Sequence, residues 1–189
     1  MLDADTYIPF DDILGYLRSR TGLIDAVVVS GGEATLMPDL VEKITKLKEL
    51  GFLVKLDTNG TNPEIVEYLH KNHLIDYVAM DIKNTFDKYP CTAGVKNIAI
   101  DKIKQSITYL MTSGIDYEFR TTIIDEFHNE EDIKEIGNII KGAKRYYLQK
   151  YVDRESCIEH GFHEVDKEKA EKFKQLLTGL IDKVELRGY

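Results

Sequence analysis

Short apolar runs rich in β-branched residues alternate with segments of helical periodicity along nearly the whole chain, and that alternation narrows the architectures open to it. The strand-like runs are Ala26–Ser30, Phe52–Asp57, Tyr77–Lys83, Tyr117–Ile123, Arg145–Tyr151 and Lys183–Arg187. Between them lie helical segments at Phe10–Arg20, Pro38–Leu50, Pro63–Asn72, Asp101–Ser113, Glu130–Lys141 and Asp166–Ile181. Strands joined through helices pair in parallel, so the expected fold is α/β with a parallel sheet. Boundary signals agree: Gly51 and Gly114 follow two helical segments, Asn62-Pro63 opens a third, and Asp101 stands where an N-cap would. Within Pro38–Leu50, the residues Leu40, Val41, Ile44, Leu47 and Leu50 form an ordinary core-facing stripe. At 189 residues and 43% hydrophobic, the chain has the size of one domain, residues 1–189, with a substantial core.

The unusual polar residues gather where strands end. Gly31-Gly32-Glu33 follows the first run, Asp57-Thr58-Asn59-Gly60 closes the second, Asp81-Ile82-Lys83 the third and Arg120-Thr121-Thr122 the fourth. In parallel α/β sheets ligands bind at that edge, because strand-to-helix loops converge there. Acids, an amide, a lysine and an arginine at one place suit a small zwitterion: carboxylates for its ammonium, Lys83 or Arg120 for its carboxylate, Thr and Asn for its hydroxyls. Several classes of function are excluded. The net charge is −8, with basic residues scattered, so no phosphate backbone is bound. No apolar run approaches the roughly 18 residues of a membrane span. The N-terminus MLDADTYIPFDD is acidic and lacks a secretory apolar stretch, and only Cys91 and Cys157 are present, so a cytosolic, reducing setting is expected.

Each strand-end group also has a structural reading. Gly31-Gly32 can be only a turn, Asp57 an Asx turn leading to Pro63, Asp81 with Lys83 a same-face pair, and Arg120 a partner of Glu118. Their common position is what lifts the set. Elsewhere Cys157, His160 and His163 spell C-x-x-H-x-x-H, read as a solvated loop rather than a zinc site. His70 and His73 read as surface residues near a helix end, and His128 as a loop histidine on the binding edge. Gln149, Lys150 and Tyr151 end a further strand on that edge and are candidates for a partner or nucleoside surface.

The stretches SGGEATL, KLDTNGTNPE, YVAMDIK, YEFRTT and VELRG, in this order over nearly the whole chain, resemble the radical S-adenosylmethionine superfamily, and within it the activating enzymes of anaerobic ribonucleoside-triphosphate reductase, cousins of the pyruvate formate-lyase activating enzymes. The resemblance implies a partial (βα)6 TIM-like barrel, S-adenosylmethionine as cofactor, and hydrogen abstraction from a glycine of a large glycyl-radical enzyme. A flavodoxin or ferredoxin would be the electron donor. By the same resemblance Gly31, Gly32 and Glu33 receive the methionine ammonium; Asp57, Thr58, Asn59, Asp81 and Lys83 line the polar end of the cofactor; Arg120 and Thr122 lie near its carboxylate or ribose. Ala34 replaces the proline usual after GGE, which relaxes the loop backbone but removes no ligand group.

A larger departure is at the start. The family holds a 4Fe-4S cluster on a CxxxCxxC loop after a first strand, and here Met1 stands only a few residues before the helix at Phe10. Neither Cys91 nor Cys157 replaces three converging thiolates, so no metal ligand or catalytic residue is assigned, and the barrel is expected to lack its first strand and cluster loop. The chain as written is expected to be inactive in radical chemistry. Three explanations stand beside one another: a fragment of a longer enzyme, a non-catalytic pseudoenzyme that binds a partner or nucleoside, and an unrelated barrel using Asp81 and Lys83 for acid–base chemistry.

Overall fold

The computed structural model describes residues 8–155, 157 and 159–189. Six parallel strands form one sheet in chain order: β1 (Ala26–Val29), β2 (Leu53–Thr58), β3 (Tyr77–Asp81), β4 (Asp116–Ile123), β5 (Tyr146–Lys150) and β6 (Val184–Arg187). The connecting helices are α1 (Phe10–Arg18), α2 (Leu40–Glu49), α3 (Pro63–Lys71), α4 (Tyr89–Thr92), α5 (Ile100–Thr112), α6 (Glu130–Ile139) and α7 (Lys167–Leu176). Crossovers of one hand that always step to the next strand put their helices on the same side of the sheet. One face is therefore apolar and closed: Val54, Leu56, Val78, Met80, Phe119 and Leu148 have no exposed surface. The alternate residues, among them Lys55, Asp57, Asp81, Glu118, Arg120 and Arg187, share the opposite, helix-free face.

All the expected strands and helical segments exist, with ends shifted by a few residues. Gly51 takes φ +87° just past α2, as a left-handed helix stop requires. Asp101 is not an N-cap; Ala99 is. The helix starts earlier because Ile100 packs on the core, which leaves the Asp101 side chain inside the first turn at 93% exposure. The segment expected to reach Ile181 stops at Leu176 and turns through Gly179 at φ +82°. Helix α4 and a 3-10 turn at Ala34–Leu36 have no periodic signature in the sequence.

Candidate functional site

The exit of β1 is built on two consecutive left-handed glycines, Gly31 at φ +110° and Gly32 at φ +53°. A Cβ on either would meet nothing within 4 Å, so the turn borders open space. Glu33 follows and brackets two strand exits: its Oε1 accepts from Thr35 N (3.2 Å), Thr35 Oγ1 (2.6 Å) and Thr58 Oγ1 (2.7 Å), and its Oε2 accepts from Asn59 N (2.6 Å). Oε2 retains acceptor capacity. The Asx turn here belongs to Asn59, whose Oδ1 accepts from Thr61 N and Oγ1 at 3.0 and 2.7 Å, and not to Asp57. Gly60, at φ +79°, closes that turn directly against Met80, where a Cβ would lie 2.0 Å from the methionine Cε.

Asp57 instead points to the helix-free face and enters a chain of charges across three strands. Arg120 donates from Nη1 to Asp57 Oδ2 at 3.0 Å and from Nε to Asp81 Oδ1 at 2.9 Å, and Lys83 Nζ donates to Asp81 Oδ2 at 3.0 Å. Register explains the reach. Asp81 pairs directly with Arg120, whereas Asp57 pairs with Ala79, whose small side chain leaves the guanidinium room to cross β3. Burial alone would lower the Arg120 pKa, but Asp81 and Asp57 outweigh it and raise it. Among the described residues Asp57 Oδ1 is buried with no hydrogen-bond partner, and the Lys55 ammonium is 3.8 Å from it. An orphaned carboxylate oxygen is costly unless a donor reaches it.

Arg120 does not pair with Glu118. That carboxylate, 4% exposed, forms a second cluster lower on the same face, taking Lys55 Nζ (3.3 Å), Tyr77 OH (3.1 Å) and Arg187 Nη1 (3.1 Å), and the Arg187 guanidinium lies 3.9 Å above the Tyr147 ring. Thr58 is buried and committed to Glu33, while Thr122 is exposed at the edge. Cys157, His160 and His163 diverge: Cys157 Sγ faces Val152 O, His160 pairs with Asp153 and His163 with Glu126. No grouping of metal-ligating residues occurs among the described residues. His70 binds the Tyr109 hydroxyl at 2.8 Å, and His73 is exposed at φ +56°. His128, expected at a loop surface, is 1% exposed and bonded through both ring nitrogens. Lys150 pairs with Glu164, and Tyr151 is buried. The sequence offered no pointer to the Lys55–Glu118–Arg187 cluster beyond the same-face spacing of each strand's residues, nor to a cleft of about 360 Å³ beside Lys83, lined by Asn59, Thr61, Tyr89, Val95, Asn97 and Ile98.

The radical SAM superfamily model matches residues 3–140. This chain belongs to the radical SAM superfamily. Among curated relatives of this radical SAM chain, a Methanocaldococcus jannaschii protein named as a glycyl-radical enzyme activating enzyme is 42% identical over 137 residues, 70% of this chain and 57% of that protein. A 7-carboxy-7-deazaguanine synthase of Thermococcus kodakarensis is 29% identical over 134 residues, 70% of this chain and 51% of that one. The chain thus spans about half the length of the curated relatives it matches. A solved domain of a pyruvate-formate lyase-activating enzyme from Bacteroides vulgatus superposes with TM-score 0.70 at 20% identity, covering 87% of this chain and 99% of that one. Streptococcus suis SuiB bound to S-adenosylmethionine gives 0.73 at 16% identity, covering 96% of this chain and 44% of SuiB. Both share the radical SAM fold. No helix among the described residues is long and apolar enough to cross a membrane.

Proposed function

We propose that this chain binds S-adenosylmethionine at the C-terminal edge of its sheet, as the core of an activating enzyme whose partner is a glycyl-radical enzyme, anaerobic ribonucleoside-triphosphate reductase first among them. The observation that carries the cofactor reading is the buried, unpartnered Asp57 Oδ1 beside an open double-glycine turn. An amino acid ammonium supplies the donors that this oxygen and the spare capacity of Glu33 Oε2 lack. Lys83 keeps donors beyond its bond to Asp81 for a carboxylate, and Asn59 and Thr122 hold hydroxyl or amide groups toward a ribose. Arg120 and Asp81 keep Asp57 aimed, and Thr58 does the same for Glu33. Bound beside a reducing iron–sulfur cluster, S-adenosylmethionine supplies a carbon-centred radical able to abstract hydrogen. The two cysteines of this chain do not fit the cluster: Cys91 is exposed on α4, Cys157 sits in a loop, and a third thiolate is not in the sequence.

That mismatch favours a second reading, cofactor and partner binding without turnover by these residues alone. The activase assignment draws support from the M. jannaschii relative. The cleft beside Lys83 suits a peptide segment flanking the partner's glycine, with Val95 and Ile98 offering an aliphatic wall and Asn97 an amide on the rim. Calorimetric titration of S-adenosylmethionine tests the core proposal. Saturable binding should weaken at least about tenfold in Asp57→Asn, which removes one charge and keeps the shape. Lys83→Met should weaken it as well. Absence of binding at millimolar ligand, or affinity untouched by both substitutions, refutes the proposed site.

A further inference from the structure

The peptide groups leaving β3 are held one after another by buried side chains. The carbonyl of Asp81 accepts from Tyr89 OH at 3.2 Å, that of Ile82 from Thr121 Oγ1 at 2.7 Å, and that of Lys83 lies 2.9 Å from His128 Nε2. Tyr89, Thr121 and His128 are each 1% exposed. The other ring nitrogen of His128, Nδ1, stands 3.1 Å from the Ile124 backbone N–H at the exit of β4. A neutral imidazole with its proton on Nε2 satisfies both neighbours, accepting from Ile124 and donating to Lys83. Asn84, fully buried, completes the tie by donating to Phe127 O at 2.9 Å.

We propose that His128 is a positioning residue for the cofactor edge: its neutral imidazole fixes the Lys83 peptide and with it the aim of the Lys83–Asp81–Arg120 chain, and proton uptake at Nδ1 releases that peptide. The inference rests on the proposed cofactor site for its meaning, but not for its test. A protonated Nδ1 cannot accept from Ile124 N–H, so the charged ring must leave its place. Burial holds the imidazole below its ordinary pKa, against smaller opposing pulls from the Lys83 and Ile124 backbone and from Asp132. The charges facing it are Lys88, ahead of α4, and Asp132, on α6, which pair with each other at 2.6 Å. From β4 and β5 it faces the hydroxyls of Thr121 and Tyr146, and burial pushes both Tyr146 and Tyr89 far above neutral pH. His128 is thus the member of this set that changes charge near neutrality.

The sign follows from linkage. A released imidazole titrates near its ordinary value of 6.5, so as pH falls below that the opened state binds a proton that the closed state refuses, and opening becomes easier. Between about pH 7.5 and about pH 5.5 this amounts to about tenfold in the opening equilibrium. Amide exchange followed by NMR, corrected for intrinsic rates, should show the Ile82 and Ile124 amides losing protection by about that factor. His128→Gln, whose amide can accept from Ile124 and donate to Lys83 without titrating, should lose none, and Phe173 in α7 serves as the control in both proteins. An equal pH response in the two proteins overturns the proposal. Should the Gln variant not fold, a loss in the unsubstituted protein confined to Ile82 and Ile124 supports it, and a loss shared by Phe173 overturns it. Titration with S-adenosylmethionine at the same two pH values separates the claims: no binding at either pH defeats the cofactor site while the exchange result still judges His128.

Discussion

Ala79 shows how one small residue sets the chemistry around it. It lies between Asp57 and Glu118 in register, and Arg120 passes over it to reach Asp57. Ala79→Leu should block that crossing, detach Arg120 from Asp57 and destabilise the fold by about 1–3 kcal/mol through overpacking; urea unfolding measures the loss. Arg120→Met keeps the volume but leaves Asp57 and Asp81 without their shared cation. A cost of about 2–4 kcal/mol is expected for such a largely buried guanidinium, together with loss of S-adenosylmethionine binding in the titration described above. Gly60 is constrained twice, by its positive φ and by the Met80 methyl that a Cβ would overlap. Gly60→Ala should therefore destabilise by about 1–3 kcal/mol, and Gly60→Ala combined with Met80→Ala should not recover the part due to backbone conformation.

Strand β1 stands out among the elements. Among the described residues it pairs on one side only, with β2, and beside it Val28 is 55% and Leu53 52% exposed. A strand edge next to apolar surface is a template for association. Sedimentation velocity over a rising concentration series should show reversible self-association, and Val28→Lys should suppress it; a monomer at every concentration in the unsubstituted chain contradicts this. Elements were the most legible level of the structure. The alternation of β-branched runs with periodic segments was enough to place six strands in parallel, because each signal is local: side-chain shape, period and stop residues. Where the reading slipped, as at Asp101, core packing by Ile100 overrode a capping signal.

Across the whole molecule, Glu118 draws side chains from four strands to one point: Lys55 on β2, Tyr77 on β3 and Arg187 on β6 meet it on β4. Burial pushes its carboxyl up, but Arg187 and Lys55 together outweigh burial and hold the carboxyl below its usual range. Burial first and Glu118 next push the Tyr77 phenol up to about 12, so it remains a donor to the carboxylate at ordinary pH. A depressed carboxylate contributes stability above its unfolded value of 4.5 and loses it as pH falls further. Thermal melts should accordingly show the unsubstituted protein losing stability from about pH 4.5 downward more steeply than Glu118→Gln, and parallel curves for the two would contradict the role given to this cluster.

The order of strands and the gathering of Gly31-Gly32-Glu33, Asp57, Asp81, Lys83 and Arg120 at one sheet edge followed from the sequence alone, since each polar group sits at the end of an apolar run and a parallel sheet brings such ends together. Which acid meets which base did not. Asp57 and Glu118 both had Arg120 within plausible reach, and the choice depended on register between strands far apart in the chain and on the empty space above Ala79. The burial of His128 likewise arose only when two loops 45 residues apart packed together. Local sequence sets period and end signals; pairings across strands are settled by packing, where the shape of every neighbour counts.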